Sequence, residues 1–504
     1  MSIFIKERML KFGEKNLRIL IFFFLFYIIS WHFFTFRITD VPPGINGDEA
    51  AIGYNAILVA RTGHDQSNRF LPLFVSAFDL TDWKQPITFY STVLAFKIFG
   101  VSYSMLREVS VIIILISATL MFFLCKEIFG KMGGVLSIFV FLTIPAVLIQ
   151  SHLALENIAP IPFTILWFWM LAKYKKSFKH KYLYLSALSL GLGLFSYPGM
   201  RLIVPVFLSL SLVYIFYLNR DKGFKKRFSE VLKFFVIVII FPIFLYSIKN
   251  QYPGAILAYN RPHGVVTYQD ILLPFISSFD PSFLFIQGDS TPYHSTGRQG
   301  VFLLATLPLF VFGIWKIAQK RDSFLIFTLF AFFLTPLLYG LASSIHRGSR
   351  LLVLLPTFTI ITSLGFLELM KIKGKAKKIL LFLTIGLVLI NYIDFARDYF
   401  FDYPKRVKSE FGKPYQLVFK EASFISKTQN LAPYIQEGFR NHNKIAVDFF
   451  ELAYFPNNLN LWKGDLLAPN SVTIAGDNPI KRDKIEQTII GEFSIIVNQS
   501  NESK

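Results

Sequence analysis

The chain has 504 residues, 53% of them hydrophobic and 17% aromatic, and its apolar runs repeatedly approach the roughly 20 residues that cross a bilayer. A single water-soluble core is excluded. A net charge of +20 would fit a nucleic-acid partner, but much of the basic charge gathers in short links between apolar runs, at 6–18, 126 and 131, 173–181, 220–227, 316–321 and 371–378. The positive-inside rule makes those links cytoplasmic, which predicts a mostly α, polytopic protein of the lipid bilayer with no nucleic acid bound. The lone Cys125 excludes an internal disulfide.

The first predicted span covers about 17–36, with its basic N-terminus inside. Residues 19–29 look like a signal-peptide core, yet no small-residue cleavage pattern follows them, so the reading is an uncleaved helix. Next comes VPPGINGDEAAIGYNAILVART at 41–62, a helix entered from a rigid turn. Pro42-Pro43-Gly44 breaks the chain, Asn46 caps the helix with Glu49 three residues on, and Thr62-Gly63 ends it. Asp48 and Glu49 therefore share the first helical turn, where carboxylates are favoured by the helix dipole and need no further reason to be there. Ile52, Ala56 and Val59 form one apolar stripe, which predicts a helix lying along the bilayer interface.

A polar loop at 64–84 leads to a short apolar run, 86–100. If that run crossed the membrane, every later basic link would change side, so it is expected to be interfacial or re-entrant. Spans then follow at about 104–125, 132–150, 159–172, 182–198, 202–218, 230–248, 299–316, 323–342, 350–370 and 378–394, about eleven in all with the C-terminus outside. The transmembrane domain is thus 1–395. Residues 396–504 read as a small external α/β domain, with a helical pattern at 416–427 and strand-like runs at 444–449 and 492–497.

Polar chemistry collects in the external links. Lys84 precedes Gln85-Pro86, Arg107 lies just inside a span, His152 and Glu156 share the link SHLALENI, and Tyr197 and Arg201 flank Pro198-Gly199. Arg298 and the trio His346, Arg347, Arg350 put positive charge where the positive-inside rule expects little. Guanidinium groups offer planar, paired donors to phosphate oxygens, so these residues point to an anionic lipid head group on the outer face. A carboxylate facing such a site could take a proton from an acceptor hydroxyl. No metal motif, P-loop or dinucleotide fingerprint appears, and neither a metal nor a cofactor is expected.

PPGINGDEAAIGYNAILVARTGHD, FLPLF, DWKQPITFYSTVLAFKIFG and SMLREVS, followed later by LALEN, FSYPGMRLIVP, YHSTGRQGVFLLATLPLFVFGI and HRGSRLLVLLP, resemble the GT-C type membrane glycosyltransferases. The resemblance is to glycosyltransferase family 39 and its relatives, which include protein O-mannosyltransferases and aminoarabinose transferases. It implies a GT-C fold and transfer of a sugar from a polyprenyl-phosphate-linked donor to a lipid, glycan or protein acceptor. Transfer would be inverting and metal-independent, at the outer face of the cytoplasmic membrane. By the same resemblance Asp48 is the first-loop acidic residue that acts as base or orients the acceptor, with Glu49 beside it. Lys84 holds the basic position before a Pro-Pro in which Gln85 replaces the first proline. Arg107 holds the acidic loop, Glu156 is the acidic residue after the third span, and His152 stands where relatives carry arginine. Arg201, Arg298 and Arg350 are assigned to the lipid phosphate. A transporter or flippase of lipid-linked sugars is the competing class, as is an O-antigen ligase or polymerase working from the diphosphate. Clustering of the polar groups at one face, rather than at the bilayer midplane, counts against alternating access.

Overall fold

The structure is a computed structural model, and it describes residues 21, 24–78, 82–256, 267–337, 345–411, 414–442, 444–456, 459–463, 467–476 and 485–499. The basic segment 6–18 and the start of the first predicted span lie outside these residues.

Helix α1 (Phe24–Phe34) leads through a series of turns into α2 (Gly47–Thr62). A short antiparallel hairpin follows, β1 (Val75–Ala77) and β2 (Asp82–Lys84), and then α3 (Pro86–Phe99). The helical body continues with α4 (Tyr103–Phe129), α5 (Lys131–Leu142), α6 (Pro145–Ser151), α7 (Pro160–Ser177), α8 (His180–Gly193), α9 (Met200–Leu218) and α10 (Phe224–Ser247). After α11 (Tyr268–Ser277) come α12 (Leu307–Lys320), α13 (Ser323–Leu334), α14 (Leu355–Leu369) and α15 (Lys375–Arg397). Helix α4 packs against α5 and α7, α7 against α8, and α12 against α14. The last pair is close because Gly365 has no side chain, and a Cβ there would stand 1.9 Å from the Leu309 carbonyl oxygen.

Among the described residues, five helices are long and apolar enough to cross a membrane: Tyr103–Phe129, Met200–Leu218, Phe224–Ser247, Gly348–Leu369 and Lys378–Arg406. A sixth is reached if α5 and α6, bent by 63°, form one broken span. The expected count of eleven is therefore not reproduced by length and composition. The predicted span 132–150 breaks at Pro145, which supplies no amide hydrogen and turns the preceding residue out of the helix. The run 86–100 is a single helix of 14 residues, about 21 Å long and so short of the roughly 30 Å hydrocarbon core.

The C-terminal part carries α16 (Tyr415–Gln429), α17 (Glu437–His442) and α18 (Lys444–Tyr454) around a five-stranded sheet. Its strands are β3 (Ala432–Gln436), β4 (Asn460–Trp462), β5 (Ser471–Gly476), β6 (Ile485–Ile490) and β7 (Phe493–Asn498), in the order β4-β3-β5-β7-β6. Strand β3 runs parallel to β4 and β5, while β7 is antiparallel to β5 and β6. The helical pattern at 416–427 and the strand-like run 492–497 correspond to α16 and β7. The run 444–449 is instead the start of a helix, whose Ala446, Val447, Phe449 and Phe450 are buried.

That helix explains a second departure. The stripe Ile52, Ala56 and Val59 on α2 is buried in protein, in one apolar cluster with Val447, Phe449 and Phe450 of α18, and does not face lipid. Gly53 permits the contact, since a Cβ there would lie 2.6 Å from Phe449 Cε2. The C-terminal part thus covers the face of α2 that its periodicity had assigned to the interface.

Candidate functional site

Helix α2 begins with a complete capping box. Asn46 Oδ1 accepts from the Glu49 amide at 2.9 Å, and Glu49 Oε2 accepts from the Asn46 amide at 3.2 Å. The two acidic residues of this turn then part company, because successive helical positions point about 100° apart.

Glu49 turns inward and is fully buried. Its Oε1 accepts from Arg107 Nε and from the Ala154 amide, both at 2.9 Å, and its Oε2 accepts from Arg107 Nη2 at 3.1 Å. Arg107 also donates to the carbonyls of Ile38 at 2.9 Å, Pro42 at 3.1 Å and Gly44. One guanidinium therefore ties the loop before α2 to its first turn. Tyr103 donates to the Gly44 carbonyl at 2.7 Å, and its ring lies 4.6 Å from the guanidinium carbon. His152 donates from Nδ1 to the Val41 carbonyl at 2.7 Å. Burial pulls that imidazole down to about 4, so it is neutral. Glu49, Arg107 and His152 all hold the loop, and none of them lines the cavity below.

Asp48 turns outward, its side chain 51% exposed. It lines a cavity of about 520 Å³, and its Oδ1 accepts from Lys84 Nζ at 2.7 Å. Strand β2 sets Asp82 and Lys84 two residues apart, on one face. Lys84 Nζ accordingly donates to Asp82 Oδ2 as well, at 2.5 Å. Burial of the Lys84 amine would lower its pKa, but Asp48, Asp82 and Glu156 outweigh this and raise it. Glu156 opens a 3-10 turn, lines the same cavity and accepts a hydrogen bond from the Gln85 amide. Burial pushes its carboxyl up to about 8, with Lys84 and the Gln85 amide opposing only in part.

The remaining walls are Asn157, Tyr197 with Pro198, and a group formed by Tyr293, His294, Arg347, Ser349 and Arg350. Asp289 binds the two loops of this group together: its Oδ1 accepts from the Thr291 amide at 2.8 Å and its Oδ2 from the Ser349 amide at 3.3 Å. The cavity thus combines an acidic cluster, Asp48, Asp82 and Glu156 around one lysine, with two arginines.

Of the residues expected from sequence, Asp48, Lys84, Glu156, Tyr197 and Arg350 line the cavity. Arg201 stands behind it, donating from Nη2 to Gln85 Oε1 at 2.5 Å, with its guanidinium carbon 5.5 Å from the Phe74 ring centre. Arg298 points elsewhere, with Nη1 3.4 Å from Asp398. His346 stacks on Phe283 at 5.1 Å and approaches Asp280 at 3.5 Å, while its neighbour Arg347 takes the cavity position. Arg347, one of the external cations singled out from sequence, lines the cavity as well, whereas Asp82, Tyr293 and His294 were not among the expected site residues. For Asp82 the signal was present, since DWK places it on the same strand face as Lys84.

A family model described as dolichyl-phosphate-mannose-protein mannosyltransferase matches residues 84–247. The fold is similar to that of ArnT from Cupriavidus metallidurans in the apo state, at 11% identity and a TM-score of 0.54 over 96% of this chain and 98% of that one. ArnT bound to undecaprenyl phosphate gives a TM-score of 0.54 at 10% identity, again over 96% and 98%. The archaeal oligosaccharyltransferase AglB from Archaeoglobus fulgidus, in complex with an inhibitory peptide and a dolichol-phosphate, gives 0.51 at 9% identity over 90% and 69%. No curated protein matches the chain in sequence. The matched segment and the shared fold agree with the resemblance to GT-C membrane glycosyltransferases, and with a multi-pass membrane protein.

Proposed function

We propose that the chain transfers a sugar from a polyprenyl-phosphate-linked donor to a lipid, glycan or protein acceptor at the outer face of the cytoplasmic membrane. Residues 1–395 would carry the reaction and 396–504 would form an external domain behind α2. The observation that carries this reading is that half-exposed Asp48 lines one cavity together with Arg347 and Arg350. The family match over 84–247, which includes Lys84 and Glu156, supports it.

In this mechanism the donor phosphate rests on the arginine side, where guanidinium groups match its oxygens. Lys84 fixes Asp48 through Oδ1. Oδ2 is then left to accept the proton of the acceptor hydroxyl. The acceptor oxygen attacks the anomeric carbon from the side opposite the phosphate, the bond from that carbon to the phosphate oxygen breaks, and the configuration inverts. The lipid monophosphate leaves against the arginines, which stabilise the charge it gains. Lys84 also bears on metal independence: its ammonium stands between the carboxylates of Asp48 and Asp82 and supplies the positive charge there.

The test is Asp48→Asn, assayed in membranes with a labelled polyprenyl-phosphate sugar. Transfer should be abolished while insertion and folding persist. Full activity in that variant would exclude Asp48 as the base.

A further inference from the structure

We infer that His294 is part of the phosphate subsite, a neutral hydrogen-bond donor to the leaving phosphate, set in place by Gln150 and Asp289. The inference rests on the function proposed above and adds a residue and a role to it.

Three observations carry it. First, His294 lines the same cavity as Asp48, Arg347 and Arg350 and feels the charge of all three. Second, the ring is held in one tautomer. The amide nitrogen of buried Gln150 lies 2.9 Å from His294 Nδ1, and because an amide nitrogen only donates, Nδ1 accepts and the ring proton sits on Nε2. With Nδ1 taken by Gln150, the ring nitrogen left for the cavity that His294 lines is Nε2, which carries the N–H. Third, the histidine and the arginines stand on loops that hydrogen bonds tie together. Asp289 accepts from the Thr291 amide and hydroxyl on one loop and from the Ser349 amide on the other, the Ser290 amide donates to the His346 carbonyl, and the His294 amide closes the turn onto Thr291. Burial, with Arg347 and Arg350 and against Asp289 and Asp48, holds the imidazole pKa below its ordinary value.

The chemistry needs no proton transfer at this residue. The acceptor's proton goes to Asp48, the electron pair of the breaking bond goes to the phosphate oxygen, and the lipid monophosphate gains one negative charge. An N–H already aimed at that oxygen strengthens its bond as the charge develops, which is how a neutral donor favours the transition state over the bound donor substrate.

Binding of undecaprenyl monophosphate and of undecaprenol, its phosphate-free alcohol, to the full-length protein in detergent tests the inference. The wild type should bind the monophosphate more tightly. In His294→Ala that preference should shrink by about ten- to hundredfold, the usual worth of a hydrogen bond to a charged group, and His294→Gln, which restores an N–H, should recover part of it. An unchanged preference in His294→Ala overturns the inference, as does equal weakening of both ligands, which would mark general damage. Should His294→Ala fail to fold, Gln150→Leu, which releases the tautomer, reads the same preference, and no change there overturns it too. A wild type with no preference for the monophosphate would instead sink the proposed function, and so the two failures are distinct.

Discussion

Neighbouring carboxylates with opposite duties should respond to the same substitution in opposite ways. Replacing Glu49 with glutamine keeps the shape but removes the charge that Arg107 faces, in a site where both side chains are fully buried. Four donors converge on that carboxylate: Arg107 Nε and Nη2, and the amides of Asn46 and Ala154. A glutamine offers one oxygen, and its NH2 would face a donor in place of the other. Breaking a buried pair by removing one partner costs about 3–5 kcal/mol. Asp48 is half exposed although Lys84 is buried, so losing this pair costs less than losing one in which both partners are buried. Lys84 would also keep Asp82 as a partner in Asp48→Asn. The expected result is that Glu49→Gln unfolds at clearly lower temperature and loses transfer in proportion to folded protein, while Asp48→Asn melts like the wild type and is inactive. Thermal unfolding in detergent, read beside transfer per folded molecule, separates the two. A Glu49→Gln protein as stable as the wild type would refute the assignment of Glu49 to holding the loop.

Two further expectations follow from the same geometry. The Glu156 carboxyl goes from its ordinary value of 4.5 to about 8 on folding, so the folded state holds a proton that the unfolded chain releases. Its contribution is complete below pH 4.5 and is lost as pH rises to about 8, at most about 1.4 kcal/mol per pH unit. Lys84, raised above its ordinary 10.5, stays charged in both states over that window and adds no slope. Glu156→Gln should flatten stability against pH between 4.5 and 8 in a detergent denaturation series, and an unaltered slope would count against the buried, protonated carboxyl. At the back of α2, Phe449→Ala should cost about 3–5 kcal/mol as a buried aromatic truncation. It should also make limited proteolysis cut the C-terminal part more readily, whereas wild-type protection would deny that this contact holds that part against α2.

The sequence disclosed the parts of this molecule whose reasons are local. Pro42-Pro43-Gly44, Asn46 and Glu49 fix the start of α2, and Gly63, at φ 80°, ends it. Arg107 was legible because a charge inside an apolar span needs a partner. Ambiguity entered wherever a pattern served two structures. KIAVDFF is apolar at both strand and helix spacing, and its helical form is decided by packing on Gly53 and Tyr103. The stripe on α2 meant only that one face is covered, and protein covers it as well as lipid does. Arg347 was legible as a cation on the outer face, but His294 had no local signal, since its meeting with the arginines depends on Asp289 reaching a loop 60 residues away.

The division between Asp48 and Glu49 also follows from packing that sequence spacing does not encode. A capping box needs only one acidic side chain at its third position, and Glu49 fills it. Once Arg107 and the Ala154 amide have claimed that carboxylate, its neighbour cannot enter the same pocket and is left facing open space. Capping and chemistry are therefore not rival accounts of the pair. The buried Glu49 fixes the helix start to a charge inside α4, and that fixed start is what gives the outward Asp48 a constant position in the cavity it shares with Arg347 and Arg350.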